Sequence, residues 1–254
     1  MRRALVVVPC YNEAERLDAA AFRAWLAGKP AARLLFVDDG SSDNTFAVLE
    51  DLCRGYQERA SVIRRARNSG KAEAVRAGVL HALKADSSPE FIGYWDADLA
   101  TPLGAIESFI QVFDAHSSIE MVFGSRVKLL GRSVERRPSR HYLGRVFATA
   151  VSILLRMPVY DTQCGAKLFR VSERTAPVFA APFLSKWVFD VEILARYLPL
   201  YGGDPARLGQ AIYEYPLETW KDIAGSKVRA HDFVLAFFDI LKIKRRYLKR
   251  RIHT

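Results

Sequence analysis

The 254-residue chain predicts an α/β fold, a mostly parallel sheet with helices on both faces. Three observations carry that expectation. Short apolar runs rich in Val, Ile, Leu and Phe recur at 4–8, 34–37, 61–64 and 91–95, as buried parallel strands do. Stretches with helical spacing separate them, so that strand and helix alternate. A polar cluster follows three of the four runs, where ligands gather at the carboxyl ends of parallel strands.

Taken in order, residues 4–8 form the first strand, and Ala14, Leu17, Ala21 and Trp25 space a helix over Glu13 to Leu26. After the run 34–37, Ser42-Asp43 caps a helix reaching about Tyr56. The run 61–64 precedes a third helix over Lys71 to Leu83, and 91–95 is the fourth strand. Pro102 opens a helix, and Met121 to Gly124 reads as another strand. Arg126 to Pro138 is polar, basic and aperiodic, a loop long enough to be functional. A mostly apolar helix spans Ser139 to Met157, ended by Pro158. Gly165 to Val171 reads as strand, Ser185 to Leu198 as helix, Ala211 to Tyr215 as strand, and a last helix starts near His231.

Half of the chain is hydrophobic and 26% is charged, ordinary for a globular protein. The net charge of +10 is local. Seven basic residues and no acids lie between Lys242 and Thr254, and seven more lie between Arg126 and Arg145 against Glu135 alone. Such patches suit phosphate groups. Their confinement, with no recognition motif, argues against a nucleic-acid-binding protein. Cys10, Cys53 and Cys164 lack metal or disulfide spacing, which fits a reducing, cytosolic compartment. No apolar stretch approaches the roughly 20 residues that span a bilayer. Met1-Arg2-Arg3 runs into a strand too short for a signal peptide's core. The last helix sets Phe233, Phe237, Ile240, Leu241, Leu248 and Ile252 along one stripe, with basic residues around it, an interfacial pattern.

The chemistry concentrates after the strands. Asp96-Ala97-Asp98 places two carboxylates at a strand mouth, where they can share one hard divalent cation whose other ligands are phosphate oxygens. Asp38-Asp39-Gly40-Ser41 puts two adjacent carboxylates after a buried run, costly without a partner, which favours ligand contact. Pro9-Cys10-Tyr11-Asn12-Glu13 offers an aromatic wall and hydrogen-bonding groups for a base and ribose. Asn68-Ser69-Gly70-Lys71 has the look of a phosphate cradle at a helix start, without the full P-loop spacing.

In this order the strings VVVPCYNEAERL, LLFVDDGSSDNT, RNSGKAEAVRAG and YWDADLATP resemble glycosyltransferase family 2, whose nucleotide-sugar-binding domain has the GT-A, Rossmann-like fold. They cover roughly the first 105 residues. Downstream, GSR, YDTQCGAKLFR, KWVFDVEILAR and YPLETWKDIAGSK are similar to dolichyl-phosphate β-glucosyltransferases and bacterial polyprenyl-phosphate hexosyltransferases. The resemblance implies a domain over 1–225, with a donor half to about 125 and an acceptor half from 126, and a basic membrane-surface helix over 226–254. It implies a hexosyltransferase, inverting, moving glucose from UDP-glucose to a polyprenyl or dolichyl phosphate on the cytosolic face of a membrane with anionic lipids.

By position, Pro9, Tyr11, Asn12, Glu13, Asp38, Asp39, Lys71 and Asp96-Ala97-Asp98 bind the donor, and Asp96 and Asp98 hold Mg²⁺ or Mn²⁺. Arg126 and Arg140, with Arg132 from the basic loop, take the acceptor's phosphate. Asp96, Asp98, Arg126 and Arg140 form the catalytic set. A phosphate acceptor is already an anion, so no strong general base is needed. Ala100 stands where mannosyltransferase relatives often carry Gln, which favours glucose over transfer of mannose from GDP-mannose. A non-catalytic protein that binds nucleotide sugar or lipid phosphate is the alternative from another class.

Overall fold

The computed structural model describes residues 3–84, 89–135, 138–222 and 230–248; the side chains of 138–141 and 230–234 lie outside that description. The chain runs β1 (Ala4–Cys10), α1 (Ala19–Ala27), β2 (Ala32–Asp38), α2 (Thr45–Cys53), β3 (Ala60–Arg64), α3 (Lys71–Leu83), β4 (Phe91–Trp95), α4 (Ala105–Ala115) and β5 (Met121–Ser125). It continues through β6 (Ser133–Glu135), α5 (Pro138–Leu155), β7 (Ala166–Arg170), α6 (Thr175–Ala180), α7 (Phe189–Tyr197), a 3₁₀ turn, α8 (Pro205–Gln210), β8 (Ile212–Pro216), β9 (Thr219–Lys221) and α9 (Ala230–Tyr247).

Seven strands form one sheet in the order β3-β2-β1-β4-β7-β5-β8. All pairings are parallel except those of β7, which runs antiparallel between β4 and β5. The strand runs read as continuously apolar because both faces of the sheet are covered. On one face Val6, Val8, Leu34 and Phe36 meet Phe22 of α1, Leu49 of α2 and Phe109 of α4. On the other, Val7, Leu35 and Val37 meet Val75 of α3, Leu155 of α5 and Leu194 of α7. Each such side chain, fully buried, contributes about 1.5–3 kcal/mol of hydrophobic stabilisation.

Several boundaries differ from the sequence reading for local reasons. The first helix begins at Ala19 rather than Glu13, because the Asp18 carboxylate caps it by accepting from Ala21 N at 2.9 Å. The helix expected from Ser185 begins at Phe189, since Ser185 Oγ first accepts from Trp187 N and Val188 N in a turn. The stretch read as a continuous loop after Arg126 contains β6, which pairs with β9 in a separate two-stranded sheet. In α9, Ile240 packs inward with Ala236 and Ile243, while Phe237 lies exposed beside Leu235 and Phe238. Of the stripe read from the sequence, Ile240 is therefore buried and Phe237 exposed, while the Phe233 side chain and Ile252 lie outside the described residues. Residues 249–254 lie outside the described residues, so the end of the basic tail has no structural account. Among the described residues no helix is long and apolar enough to cross a membrane.

Candidate active site

The carboxyl ends of β1, β2 and β4 open into a cavity of about 500 Å³, within the usual size for small-molecule sites. Asp96, Ala97 and Asp98 line it just beyond β4. Their turn is pinned at several points. Asp96 N donates to Gly165 O at 2.9 Å, Ala100 N to Asp98 Oδ1 at 3.0 Å, and Trp95 Nε1 to Thr101 O at 2.8 Å. Gly165 is required by close approach: a Cβ there would fall 1.9 Å from Asp96 Oδ2.

Burial, and then the neighbouring Asp96 charge, push the Asp98 carboxyl above its ordinary pKa. Lys71, the first residue of α3, places its Nζ 2.5 Å from Asp96 Oδ1. Burial pulls the Lys71 pKa down, but the fields of Asp96, Asp190 and Asp98 outweigh it and leave the ammonium favoured. Two close carboxylates with hard oxygens, one destabilised by the other, fit a divalent cation. Among the described residues no group of three or more His, Cys, Asp or Glu is placed to hold a metal ion; Asp96 and Asp98 line the cavity as a pair.

Of the residues read as donor-binding, Pro9, Tyr11, Glu13, Asp39 and Lys71 line the cavity. Asn12 and Asp38 are not among the lining residues. Asn12 adopts φ 51° and its Oδ1 accepts from Ser42 N at 3.0 Å, bracing the loop after β2. Asp38 Oδ1 accepts from Ser41 N at 3.0 Å, and Oδ2 lies 3.1 Å from Arg64 Nε. Asp38 is thus offset by the protein through one hydrogen bond and the Arg64 charge, with Oδ2 itself making no hydrogen bond among the described residues. Asp39 is equally engaged, taking Arg65 Nη1 at 2.6 Å, Ser69 N at 3.0 Å and Gly70 N at 2.7 Å. Those two amides belong to the stretch read as a phosphate cradle; they hold a carboxylate instead. Gly40, at φ 68°, lets this arrangement close, because a Cβ would sit 2.6 Å from the Arg67 backbone.

On the acceptor side Arg126 lines the cavity, gripped by Asp161 through Nε at 2.6 Å and Nη2 at 2.8 Å. It also lies over the Trp220 ring at 5.3 Å. Glu214 holds the Asp161 segment by accepting from Tyr160 N and Asp161 N. Arg132 does not line the cavity; it pairs with Glu218 at 3.1 Å. Arg140 lies on α5, but its side chain is outside the described residues, so its expected role has no geometric account.

Three features lie outside the set of site residues read from the sequence. Arg145 lines the cavity with its guanidinium 3.8 Å from the Tyr160 ring centre; the only signal was its place at the end of a basic stretch. Trp220 enters from β9, too short a strand to leave a periodicity. Lys167 is fully buried and donates to Asp190 Oδ1 at 2.6 Å, to Thr162 O at 3.0 Å and to Cys164 O. Tyr94 OH donates to the same Asp190 oxygen. That polar knot fixes the 162–165 loop, and through Gly165 it fixes Asp96. Glu192 is buried in an ion pair with Arg196 at 2.7 Å.

A mostly parallel α/β sheet whose strand ends carry this aspartate pair, with cations on both sides, defines a glycosyltransferase. The chain belongs to glycosyltransferase family 2: the model of that family, described as glycosyl transferase family 2, matches residues 5–174. Among curated relatives, the chain is 33% identical to the mouse dolichyl-phosphate beta-glucosyltransferase, over 96% of this chain and 75% of that one. It is 32% identical to the Saccharomyces cerevisiae protein of the same description, over 96% and 74%. Among solved structures, the Mycobacterium tuberculosis glucosyl-3-phosphoglycerate synthase superposes with a TM-score of 0.66 at 16% identity, covering 99% of this chain and 82% of that one. A second structure of that synthase was solved with Mn²⁺ and uridine diphosphate, with a TM-score of 0.66 at 17% identity over 95% and 78%. At that identity the likeness concerns the fold, which is GT-A.

Proposed function

We propose that this enzyme transfers glucose from UDP-glucose to a polyprenyl or dolichyl phosphate, with inversion, using Mg²⁺ or Mn²⁺ held by Asp96 and Asp98. The observation that carries the reading is one cavity that gathers the two aspartates with Tyr11, Glu13, Asp39 and Lys71 and with Arg126, Arg145, Trp187 and Trp220. The descriptions of the mouse and yeast relatives support the acceptor class.

A bound cation would neutralise charge on the departing nucleoside diphosphate. The chain's own part is positioning. The pinned turn holds both carboxylates, Lys71 adds a cation on the donor side, and Arg126 is fixed by Asp161 on the other. Asp190, its Oδ1 committed to Lys167 and Tyr94, acts as a support of the loop rather than as a base.

Exposed Tyr142, Leu143, Val146 and Ile153 on α5, and Leu129 and Leu130 just before β6, support a peripheral position on a membrane. The basic residues after Lys242 would add attraction to anionic lipids on the cytosolic face.

The test is titration with UDP, UDP-glucose and GDP-mannose in Mg²⁺ or Mn²⁺, followed by transfer to polyprenyl phosphate. Selective binding of the uridine nucleotides with transfer of glucose supports the reading. Preference for GDP-mannose refutes the proposed donor.

A further inference from the structure

We propose that Arg145 is the residue that receives the phosphomonoester of the acceptor, a role that rests on the lipid-phosphate reading above. The observation is a buried donor without a partner. Arg145 lines the cavity, and its Nη1 is buried yet makes no hydrogen bond within the described residues. Buried polar atoms in folded proteins are nearly always paired, and an exception facing a cavity points to a ligand.

The geometry specifies the ligand's chemistry. The guanidinium lies over the Tyr160 ring, 3.8 Å from its centre. Tyr160 is itself fixed, its N donating to both Glu214 carboxylate oxygens at 2.9 and 2.8 Å. Stacking on one face leaves the in-plane N–H groups as donors, the arrangement that grips two oxygens of a phosphate. Three other cations of the cavity are engaged, Lys71 with Asp96, Arg16 with Glu13 and Arg126 with Asp161, while Lys186 lies against Gly70 at the start of α3.

Position selects the acceptor's phosphate over the donor's. Arg145 belongs to α5, whose Phe147 and Ala148 give the same cavity an apolar wall. The helix also carries Leu143 and Val146 exposed outside it. A phosphate at Arg145 therefore has an apolar path beside it for the attached hydrocarbon, whereas Tyr11 and Asp39 stand on the donor side.

Phosphate from either substrate could meet a guanidinium, so the experiment separates them. Arg145→Ala should raise the KM for polyprenyl phosphate by at least about tenfold, the scale of a lost charge-assisted hydrogen bond. The Kd for UDP by calorimetry should stay at the wild-type value. Arg145→Lys should recover only part of the acceptor KM, because an ammonium cannot form the two-oxygen fork. If Arg145→Ala fails to fold, Arg145→Gln carries the same comparison.

Equal loss of UDP affinity would assign Arg145 to the donor's diphosphate and overturn the proposal. An unchanged acceptor KM would overturn it as well. If wild type binds UDP but transfers to no polyprenyl phosphate, the lipid-phosphate reading itself fails. Arg145 is then judged by inorganic phosphate alone: undiminished phosphate affinity in Arg145→Ala refutes its anion role, and lost affinity upholds that role.

Discussion

Lys71 Nζ and Asp96 Oδ1 lie 2.5 Å apart, so the first residue of α3 sets a cation directly on one of the two aspartates after β4. This contact joins the start of α3 to the turn after β4. Both side chains are partly exposed, and such a pair contributes at most about 1 kcal/mol to stability. Under the proposed function its weight lies in binding, the ammonium meeting a donor's diphosphate beside the aspartates.

Lys71→Met should therefore leave the melting temperature within a few degrees of wild type while weakening UDP binding by about tenfold or more. Calorimetry on the folded variant reads this. Wild-type UDP affinity would show that Lys71 serves only as a counter-charge for Asp96.

Gly165→Ala tests how closely the aspartate is held. The new methyl would land 1.9 Å from Asp96 Oδ2 and 2.2 Å from its Cγ, so the carboxylate must move. Overpacking of this kind costs about 1–3 kcal/mol, and displacement of a ligand should cost Mn²⁺ affinity in addition. Thermal melting and Mn²⁺ titration in the presence of UDP should both respond. A variant with wild-type Mn²⁺ affinity would mean that Asp96 is not a ligand.

Removing the Lys167 ammonium leaves Asp190 buried without its cation. Lys167→Met should cost about 3–5 kcal/mol in urea unfolding, the scale of a broken buried pair. Lys167→Met combined with Asp190→Asn should be less destabilising than the single change, since the stranded charge is gone. A double variant worse than the single one would contradict the pairing.

Burial pushes the Cys164 thiol up to about 11. A raised thiol pKa means a neutral, unreactive sulfur below that value, because only the thiolate attacks alkylating agents. Cys164 should stay unmodified by iodoacetamide at pH 8.5 in the native protein and react once unfolded. Peptide mass analysis decides it, and rapid native labelling would show that the loop under Asp96 opens.

Much of the fold was legible because its signals are local. Lys71 to Leu83 begins and ends as read, since the stretch after Gly70 is dominated by helix formers, Gly78 apart. Asp96 and Asp98 were legible because a fully buried run ends beside them. Pairing across the chain left no such trace: nothing in Ala166–Arg170 shows that β7 runs antiparallel between β4 and β5. Side-chain direction was hidden too. Asp38 and Asp39 are adjacent, yet only Asp39 lines the cavity, because neighbouring residues at a strand end face opposite ways. Arg145 looked like one more cation of a basic stretch until Tyr160, fifteen residues on, was placed beneath it.

The most direct measurement combines the protein with UDP-glucose, polyprenyl phosphate and Mn²⁺, and follows both the lipid's mass and the UDP released. The lipid should gain one hexose for each UDP formed, and Asp98→Asn should lose most of that turnover. UDP release without a hexose on the lipid, or full transfer in excess EDTA, would contradict the account.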